Sequence, residues 1–554
     1  MKKFLLLAVL ILGFFFRTYT VSFNPPSLSW DEVSIGYNAY SILKTGRDEH
    51  GRFLPFDSFI SYGDYKPPLA IYSAVPFVYL FGLTDLGVRL PAAVFGTVSL
   101  LITYLIVIEL FRIRTTRTTP FDEDRVSTLA LITTLVMAVS PWHVNISRGG
   151  FEANIALFFV LLGVWCILSA RQVASRYVYM WLPFVAAIYT FNSARYFVPL
   201  LSVPLMWFSL EHVRKNRGRF ILGVIVAILA LVPILPHLVS KEARLRFKEV
   251  NIFSDTAVIE QANERTKRAG NSIFAPIVNN RRIGFIRSYL MHFTDNLQPE
   301  FLFIRGDGNP KFSIQDTGQL YIIEAPLLVI GFFALFAFFP IQAGILLFWL
   351  LAAIVPAATA RETPHALRIL NSLPVWYIAV AFGCLVVYDW WKRSVRPRFF
   401  FRIGIGIFLA VYVLQVGYYL HQYYAHFPKE FSGEWQYGYR EAILLSRSIE
   451  KNYDSVVVTD SIGRPYMYTA FYTQSDPGKF VSSKRSYFDD AGFYHVDGFG
   501  KYSFADTLPL SLGKNTLYIW DATEAPDGAR VLHTVKLLNG EPRLVLFDTG
   551  EVEK

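Results

Sequence analysis

Apolar runs of about 20 residues, the length a helix needs to cross a bilayer, recur along this chain. No other feature restricts its fold so strongly. A backbone in lipid must satisfy its own hydrogen bonds, and a helix does so within one segment. The runs fall near residues 4–23, 88–111, 126–142, 153–169, 178–192, 196–210, 220–238, 320–339, 341–357, 369–388 and 402–420. This is about eleven spans, two of them separated only by "PIQ" near residue 340. Lys2 and Lys3 precede the first run and no small-x-small cleavage site follows it, so it reads as a retained helix.

The basic residues lie between the runs. They occur in "RIRTTRTTPFDEDR", as Arg171 and Arg176, as Arg214, Lys215, Arg217 and Arg219, and as Lys392, Arg393, Arg396 and Arg398. Span parity puts all of these on one side, which the positive-inside rule assigns to the cytoplasm. The expectation is a multi-pass protein of the cytoplasmic (inner) membrane, amino terminus inside and carboxyl terminus outside. Of 554 residues 53% are hydrophobic and 17% charged, against roughly a quarter charged in soluble proteins. The formal charge of +10 therefore belongs to membrane-flanking loops, and nucleic acid is not an expected partner. Cys166 and Cys384 both fall in apolar runs, so no disulfide framework is implied.

Parity gathers on the outer face the segments 24–87, 143–154, 192–195, 239–319, 358–368 and everything after about residue 421. In the first of these, "PLAIYSAVPFVYLFG" is too short to span and is interrupted by Pro76, so it is expected as a helix lying at the interface. The tail alternates a helical pattern, "YREAILLSRSIEKN", with short β-rich stretches, "SVVVT", "TLYIW", "RVLHTVKLL" and "RLVLFDT". It reads as a small extracytoplasmic α/β domain. The predicted fold is an all-α polytopic membrane domain over 1–425 and an α/β domain over 426–554.

Four outer-face stretches contain the candidate chemistry. In "SLSWDEVSIGYNAYSILKTG", Ser29 and Glu32 form a capping box for a helix running to about Lys44 and stopping at Gly46. That reading accounts for Glu32 and leaves Asp31 only a mild dipole benefit. In "DYKPPL", Lys66 stands before a Pro-Pro that forces an extended entry into the next helix; it either snorkels to head groups or faces an anion. In "SRGGFEANIA", Arg148 and Glu152 at i and i+4 fit a helix-side ion pair, while Glu152 also opens a span on the same membrane face as Asp31. Two such carboxylates can divide the roles of base and divalent-cation ligand. In "ATARETPHALRIL", Arg361, His365 and Arg368 stand just outside a span, the last two on one helical face, suited to a phosphate or to lipid head groups. Arg195 in "YTFNSARYF" is a weaker instance of the same kind. No P-loop, dinucleotide-binding glycine pattern, zinc-spaced Cys/His set or nucleophile elbow is present.

The order of "SWDE", "KPPLAIYSAVPFVYLFG" and "GVRLPAAVFGTVSLLITYLIVIEL", followed by "SRGGFEANIALFF" and "PHALRILNSLPVWY", resembles the GT-C superfamily of polyprenyl-phosphate-sugar-dependent glycosyltransferases. It looks most like the protein O-mannosyltransferase and aminoarabinose-transferase branch, glycosyltransferase family 39. The close resemblance covers residues 1 to 170, and the rest agrees in organisation. It implies that Asp31 is the first-loop catalytic acid, Glu152 the second outer-loop acid and Lys66 the basic residue at the lipid phosphate. The chain departs from the pattern in having Glu at the second acid, and Lys66 stands where many mannosyltransferases have His. The 239–319 loop is too short for the β-trefoil of the eukaryotic enzymes.

The function this implies is transfer of a sugar, with inversion, from a polyprenyl-phosphate donor to a hydroxyl of a protein, lipid or glycan acceptor. Asp31 and Glu152 would be catalytic, and Lys66, His365 and Arg368 would meet the lipid phosphate. Glu32, Arg148, Arg195 and Arg361 are further candidates. No cofactor is demanded, and a divalent cation is compatible with the acids present. The competing classes are a transporter or flippase of lipid-linked sugar and a cell-envelope binding protein anchored by its spans. The charges within spans (Arg89, Glu109, Glu324) lie near their ends, which favours the enzyme over the flippase.

Overall fold

The structure is a computed structural model that describes residues 1–112, 122–238, 240, 251–270, 273–394, 398–489 and 494–550. Most of the basic loop after residue 112, and Arg396, lie outside the described residues. Among the described residues seven helices are long and apolar enough to cross a membrane: Asp85–Phe111, Glu152–Ala170, Ala194–Lys215, Arg217–Leu238, Pro340–Ala358, Leu370–Ser394 and Arg398–Glu430. The pair Glu123–Val139 and Pro141–Arg148, bent by 56°, makes an eighth if it is one span. The protein is thus a multi-pass, mostly helical membrane protein, with fewer long helices than the expected eleven. The other three expected spans are shorter. Lys2–Thr18 has 17 residues, Leu182–Ile188 has 7 and Glu324–Phe338 has 15. Pro183, which suits only a first turn, sets the late start of the second of these, and the chain leaves helical geometry until Ala194. The "PIQ" joint is a break at Phe339 (φ −138°, ψ 60°), after which Pro340 opens the next helix.

The chain forms two compact units. The first comprises Met1–Arg17, Phe95–Ser147 and Glu152–Leu420. Its bent helix pair shows how polar side chains permit an irregular backbone among apolar helices. Pro141 lacks the N–H that would bond the Met137 carbonyl, so the helix breaks there. Fully buried Arg17 donates to the carbonyls of Ala138 (3.1 Å) and Met137 (3.4 Å), and the Tyr321 hydroxyl donates to that of Val139 (2.7 Å). The carbonyls released by the break are thereby satisfied.

The second unit comprises Thr18–Val94, Arg148–Phe151 and His421–Lys554. It contains the helix Trp30–Thr45, a hairpin of β1 (Phe59–Ser61) and β2 (Asp64–Lys66), and the short apolar helix Leu69–Phe81 with Pro76 inside it. After the helix Tyr439–Ile449 come β3 (Ser455–Thr459), the helices Pro465–Tyr472 and Pro477–Ser483, and then six more strands. These are β4 (Arg485–Phe488), β5 (Tyr494–Phe499), β6 (Tyr502–Ala505), β7 (Thr516–Asp521), β8 (Arg530–Lys536) and β9 (Pro542–Asp548). The sheet order is β4-β5-β6-β3-β7-β9-β8, with β3 parallel to both β6 and β7 and the remaining pairs antiparallel.

Central strands β3 and β7 read as near-continuous apolar runs, as expected for strands covered on both faces. Val456, Val458, Leu517 and Ile519 share one core with Ile443 and Phe471, and that core continues into Val33, Ile35 and Tyr37 of the first-loop helix. The first loop and the C-terminal segment therefore fold around common apolar residues. The hydrophobic burial that fixes the sheet also fixes the helix carrying Asp31.

Candidate active site

The helix Trp30–Thr45 starts and stops as its sequence implies. The Ser29 hydroxyl accepts from the Glu32 N–H, the Ser29 N–H donates to Glu32 Oε2 at 2.8 Å, and Gly46 closes the helix at φ 68°. The cap is only part of what Glu32 does. Its Oε1 also accepts from Arg89 Nε at 2.8 Å and from the Gly150 N–H at 2.9 Å. Both side chains of this ion pair are fully buried (Glu32 1% and Arg89 0% exposed). Arg89 further donates to the carbonyls of Val21 (3.0 Å), Pro25 (2.7 Å) and Ser27. Gly150 allows the approach, since a Cβ there would lie 3.0 Å from Glu32 Cγ. Glu32 is therefore a structural junction of three segments, and sequence reasoning points to neither Arg89 nor Gly150 as its partner.

Asp31 projects from the same first turn into a different environment. Its Oδ1 accepts from Lys66 Nζ at 2.6 Å, with the Asp31 side chain 44% exposed and the Lys66 side chain 8% exposed. The hairpin makes this pairing. Tyr62 (φ 59°) and Gly63 (φ 85°) form a two-residue turn with both residues in left-handed geometry, which matches the twist of the flanking strands. Register then places Lys66 opposite Phe59 at the base of the hairpin. Two bonds tie the hairpin to the Asp31 helix: Ser61 Oγ to Ser34 Oγ at 2.6 Å, and the Tyr62 hydroxyl to the Trp30 carbonyl at 2.8 Å. An open carboxylate beside a buried ammonium can take a proton from an attacking hydroxyl while the ammonium faces an anion.

Arg148 is fully buried and ties segments of the second unit together. It donates to the carbonyls of Tyr19 and Asn24 (2.7 Å each) and to the Tyr423 hydroxyl (3.0 Å), and stacks on Tyr423 and Tyr424. The i, i+4 relation to Glu152 does not hold as helical geometry. One helix ends at Arg148 and the next begins at Glu152, with two glycines between. Glu152 lies in the first turn of its helix, in the other compact unit from Asp31.

The first unit holds the second cluster. His365 and Arg368 do not share a helical face, because residues 361–369 form turns and the helix proper starts at Leu373. Pro374 has no N–H to donate to the Leu370 carbonyl, which disfavours an earlier start of the α-helix. The His365 N–H donates to Asn296 Oδ1 at 3.0 Å and the Ala366 N–H to Asp307 Oδ2 at 2.7 Å. His365 Nδ1 lies 3.7 Å from Asp307 Oδ2 and has no hydrogen-bond partner among the described residues. Burial, then the Arg368 cation, hold the His365 imidazole well below its ordinary value, so it is neutral at pH 7. Burial raises Asp307 to about 6, against N–H bonds from Asn309 and Ala366. Positive charge here comes from Arg368, whose Nη1 donates to the Glu362 carbonyl at 3.2 Å. Asp307, in "RGDGNPKF", is missed by sequence reasoning; its only signal is a polar Gly-Asp-Gly-Asn loop ahead of an apolar helix. Arg361 is exposed, its Nε donating to the Asn251 carbonyl at 3.3 Å. Arg195 Nε and Nη2 are buried with no hydrogen-bond partner among the described residues. Among the described residues no group of three or more His, Cys, Asp or Glu is placed to hold a metal ion.

No protein-family model matches the chain, and no curated protein does. Solved structures do. ArnT from Cupriavidus metallidurans bound to undecaprenyl phosphate aligns over 100% of this chain and 98% of its own, with TM-score 0.52 and 14% identity. Its apo form aligns over 98% and 97%, with TM-score 0.51 and 13% identity. The oligosaccharyltransferase of Archaeoglobus fulgidus, in the apo form, aligns over 85% of this chain and 64% of its own, with TM-score 0.51 and 13% identity. The fold is the GT-C fold. The likeness of fold runs along the whole chain, C-terminal sheet included, whereas the close sequence resemblance covers residues 1–170.

Proposed function

We propose that this protein is a glycosyltransferase of the outer face of the cytoplasmic membrane that moves a sugar from a polyprenyl-phosphate donor to an acceptor hydroxyl. The observation that carries the reading is the Asp31–Lys66 pair, an exposed carboxylate on a capped helix with a buried ammonium at 2.6 Å. The chain spans nearly the whole of ArnT, a protein solved with undecaprenyl phosphate bound, which supports a lipid phosphate as the donor's leaving group.

In the proposed step the acceptor oxygen attacks the anomeric carbon as its proton passes to Asp31. The bond from that carbon to the phosphate oxygen breaks, and its electron pair departs on the polyprenyl phosphate. Attack opposite the leaving group inverts the centre. Lys66 faces the departing charge, and Arg368, with His365 as a neutral group, is a second candidate for the phosphate. Glu152 is the second acid. The amino terminus is inside and the C-terminal sheet outside. The test is to supply polyprenyl phosphates carrying different labelled sugars to vesicles containing the protein. Label should appear in a hydroxyl-bearing acceptor with one polyprenyl phosphate released per sugar moved, and movement of intact labelled lipid across the vesicle wall without transfer would support a flippase instead.

A further inference from the structure

The C-terminal segment brings to the neighbourhood of Asp31 a charge that the step above does not use. Arg464 stands in left-handed geometry (φ 62°) immediately before the helix Pro465–Tyr472, with its N–H held by Asp460 Oδ1 at 2.8 Å. Its guanidinium lies over the Tyr62 ring, 5.0 Å from the centroid. The side chain is half-buried, and among the described residues its guanidinium has no hydrogen bond or ion pair. Tyr62 is itself left-handed, packs edge-on to Tyr466 at 5.7 Å and donates to the carbonyl of Trp30, the residue before Asp31. The neighbouring glycine is also close: a Cβ on Gly463 would lie 3.8 Å from the Trp30 ring. Burial holds the Tyr62 phenol well above its ordinary value, with Asp31 among the charges that raise it further and Arg464 lowering it.

Two side-chain-bearing residues in a disfavoured backbone region, one on the hairpin that places Lys66 and one on the C-terminal segment, are in cation–π contact. Such conformations persist where the surroundings over-determine them, and they concentrate at functional sites. A guanidinium that lies over a ring makes a cation–π contact that occupies none of the oxygen-binding capacity of its N–H groups. Its five N–H donors lie in its plane and match two oxygens of a phosphate. Lys66 is already bonded to Asp31, so a leaving phosphate that meets Lys66 must share it. We propose that Arg464 binds the phosphate oxygens of the polyprenyl-phosphate donor beside the Asp31–Lys66 pair, so that the C-terminal segment completes the donor site. The proposal rests on the glycosyltransferase reading above.

The test uses the purified full chain with undecaprenyl phosphate and its uncharged counterpart undecaprenol as probes. Arg464→Gln should lose tenfold or more in affinity for undecaprenyl phosphate and bind undecaprenol as the wild type does. Arg464→Lys, which keeps the charge without the fork, should fall between, and it carries the test alone if Arg464→Gln fails to fold. Wild-type affinity for undecaprenyl phosphate in both variants would overturn the proposal. Equal weakening toward both lipids would also overturn it, because that marks a packing role. So would an effect on acceptor KM alone, which would place the anion on the acceptor. Asp31→Asn, assayed in parallel, should keep undecaprenyl phosphate binding, no weaker than the wild type because Lys66 is freed from its carboxylate partner, and fail in transfer. If Asp31→Asn transfers at the wild-type rate, the base assignment fails while the Arg464 binding result still stands.

Discussion

Replacing Glu32 by glutamine removes the charge that faces Arg89 in a fully buried pair and leaves one oxygen to accept what two now accept from Ser29, Arg89 and Gly150. An uncompensated buried guanidinium costs about 3–5 kcal/mol, so Glu32→Gln should lower the melting temperature in detergent and the yield of inserted protein. The neighbouring Asp31→Asn, on a side chain 44% exposed and so partly solvated, should lower both much less. A wild-type melt for Glu32→Gln would remove the junction role. Glu49 offers a pH test in the same unit. Its Oε1 accepts from Asn38 Nδ2 at 3.2 Å, Oε2 has no hydrogen-bond partner among the described residues, and burial raises its carboxyl to about 8. A folded-state value above the ordinary 4.5 means that the folded protein resists ionisation. The stability this group contributes is present below 4.5 and is lost as the pH rises through about 8. Thermal melts of Glu49→Gln should match wild type near the low end of that window and exceed it by a few degrees at the upper end. Parallel curves would refute the assignment.

The hairpin β1–β2 is the element on which the candidate pair depends. Gly63→Val puts a β-branched side chain at φ 85°, a cost on the order of 1–2 kcal/mol, and forces the turn to readjust. The unit should still melt within a few degrees of wild type, because the common core does not involve Gly63, but turnover should fall as Lys66 loses its register against Asp31. Unaltered kinetics would show that the hairpin does not set the pair. At this scale the sequence is legible wherever a local rule decides the outcome. The capping box, the stop at Gly46, the extended Lys66 before Pro-Pro and the helix Tyr439–Ile449 all follow from neighbouring residues. Where partners come from far along the chain it is not. Glu32 looks like a cap because Arg89 and Gly150 are 57 and 118 residues away. His365 and Arg368 look helical because their spacing suits a helix, but Pro374 delays it. Strands β4, β5 and β6 escape sequence reasoning because "RSYF", "YHVDGF" and "YSFA" lack the β-branched run of β3 and the continuous apolar run of β7.

For the whole molecule, hydropathy reveals the multi-pass class, whereas the number of long helices depends on prolines and polar breaks that a sliding window averages over. Orientation is tested by single cysteines in a background lacking Cys166 and Cys384. Cysteines at exposed Asn263 and Asp476 should react with an impermeant reagent in intact cells, and one at Gly218 in the basic "RKNRGR" loop should react only after lysis; the reverse pattern would invert the topology. In the proposed reaction Asp31 removes the acceptor proton as the sugar leaves the lipid phosphate. The measurement that reaches it is the single-turnover rate at which purified protein, saturated with its labelled polyprenyl-phosphate sugar, passes label to acceptor. Asp31→Asn, folded and saturated with the lipid, should be slower by about a hundredfold or more, the scale of a missing general base. A rate within a few-fold of wild type would rule out Asp31 as the base.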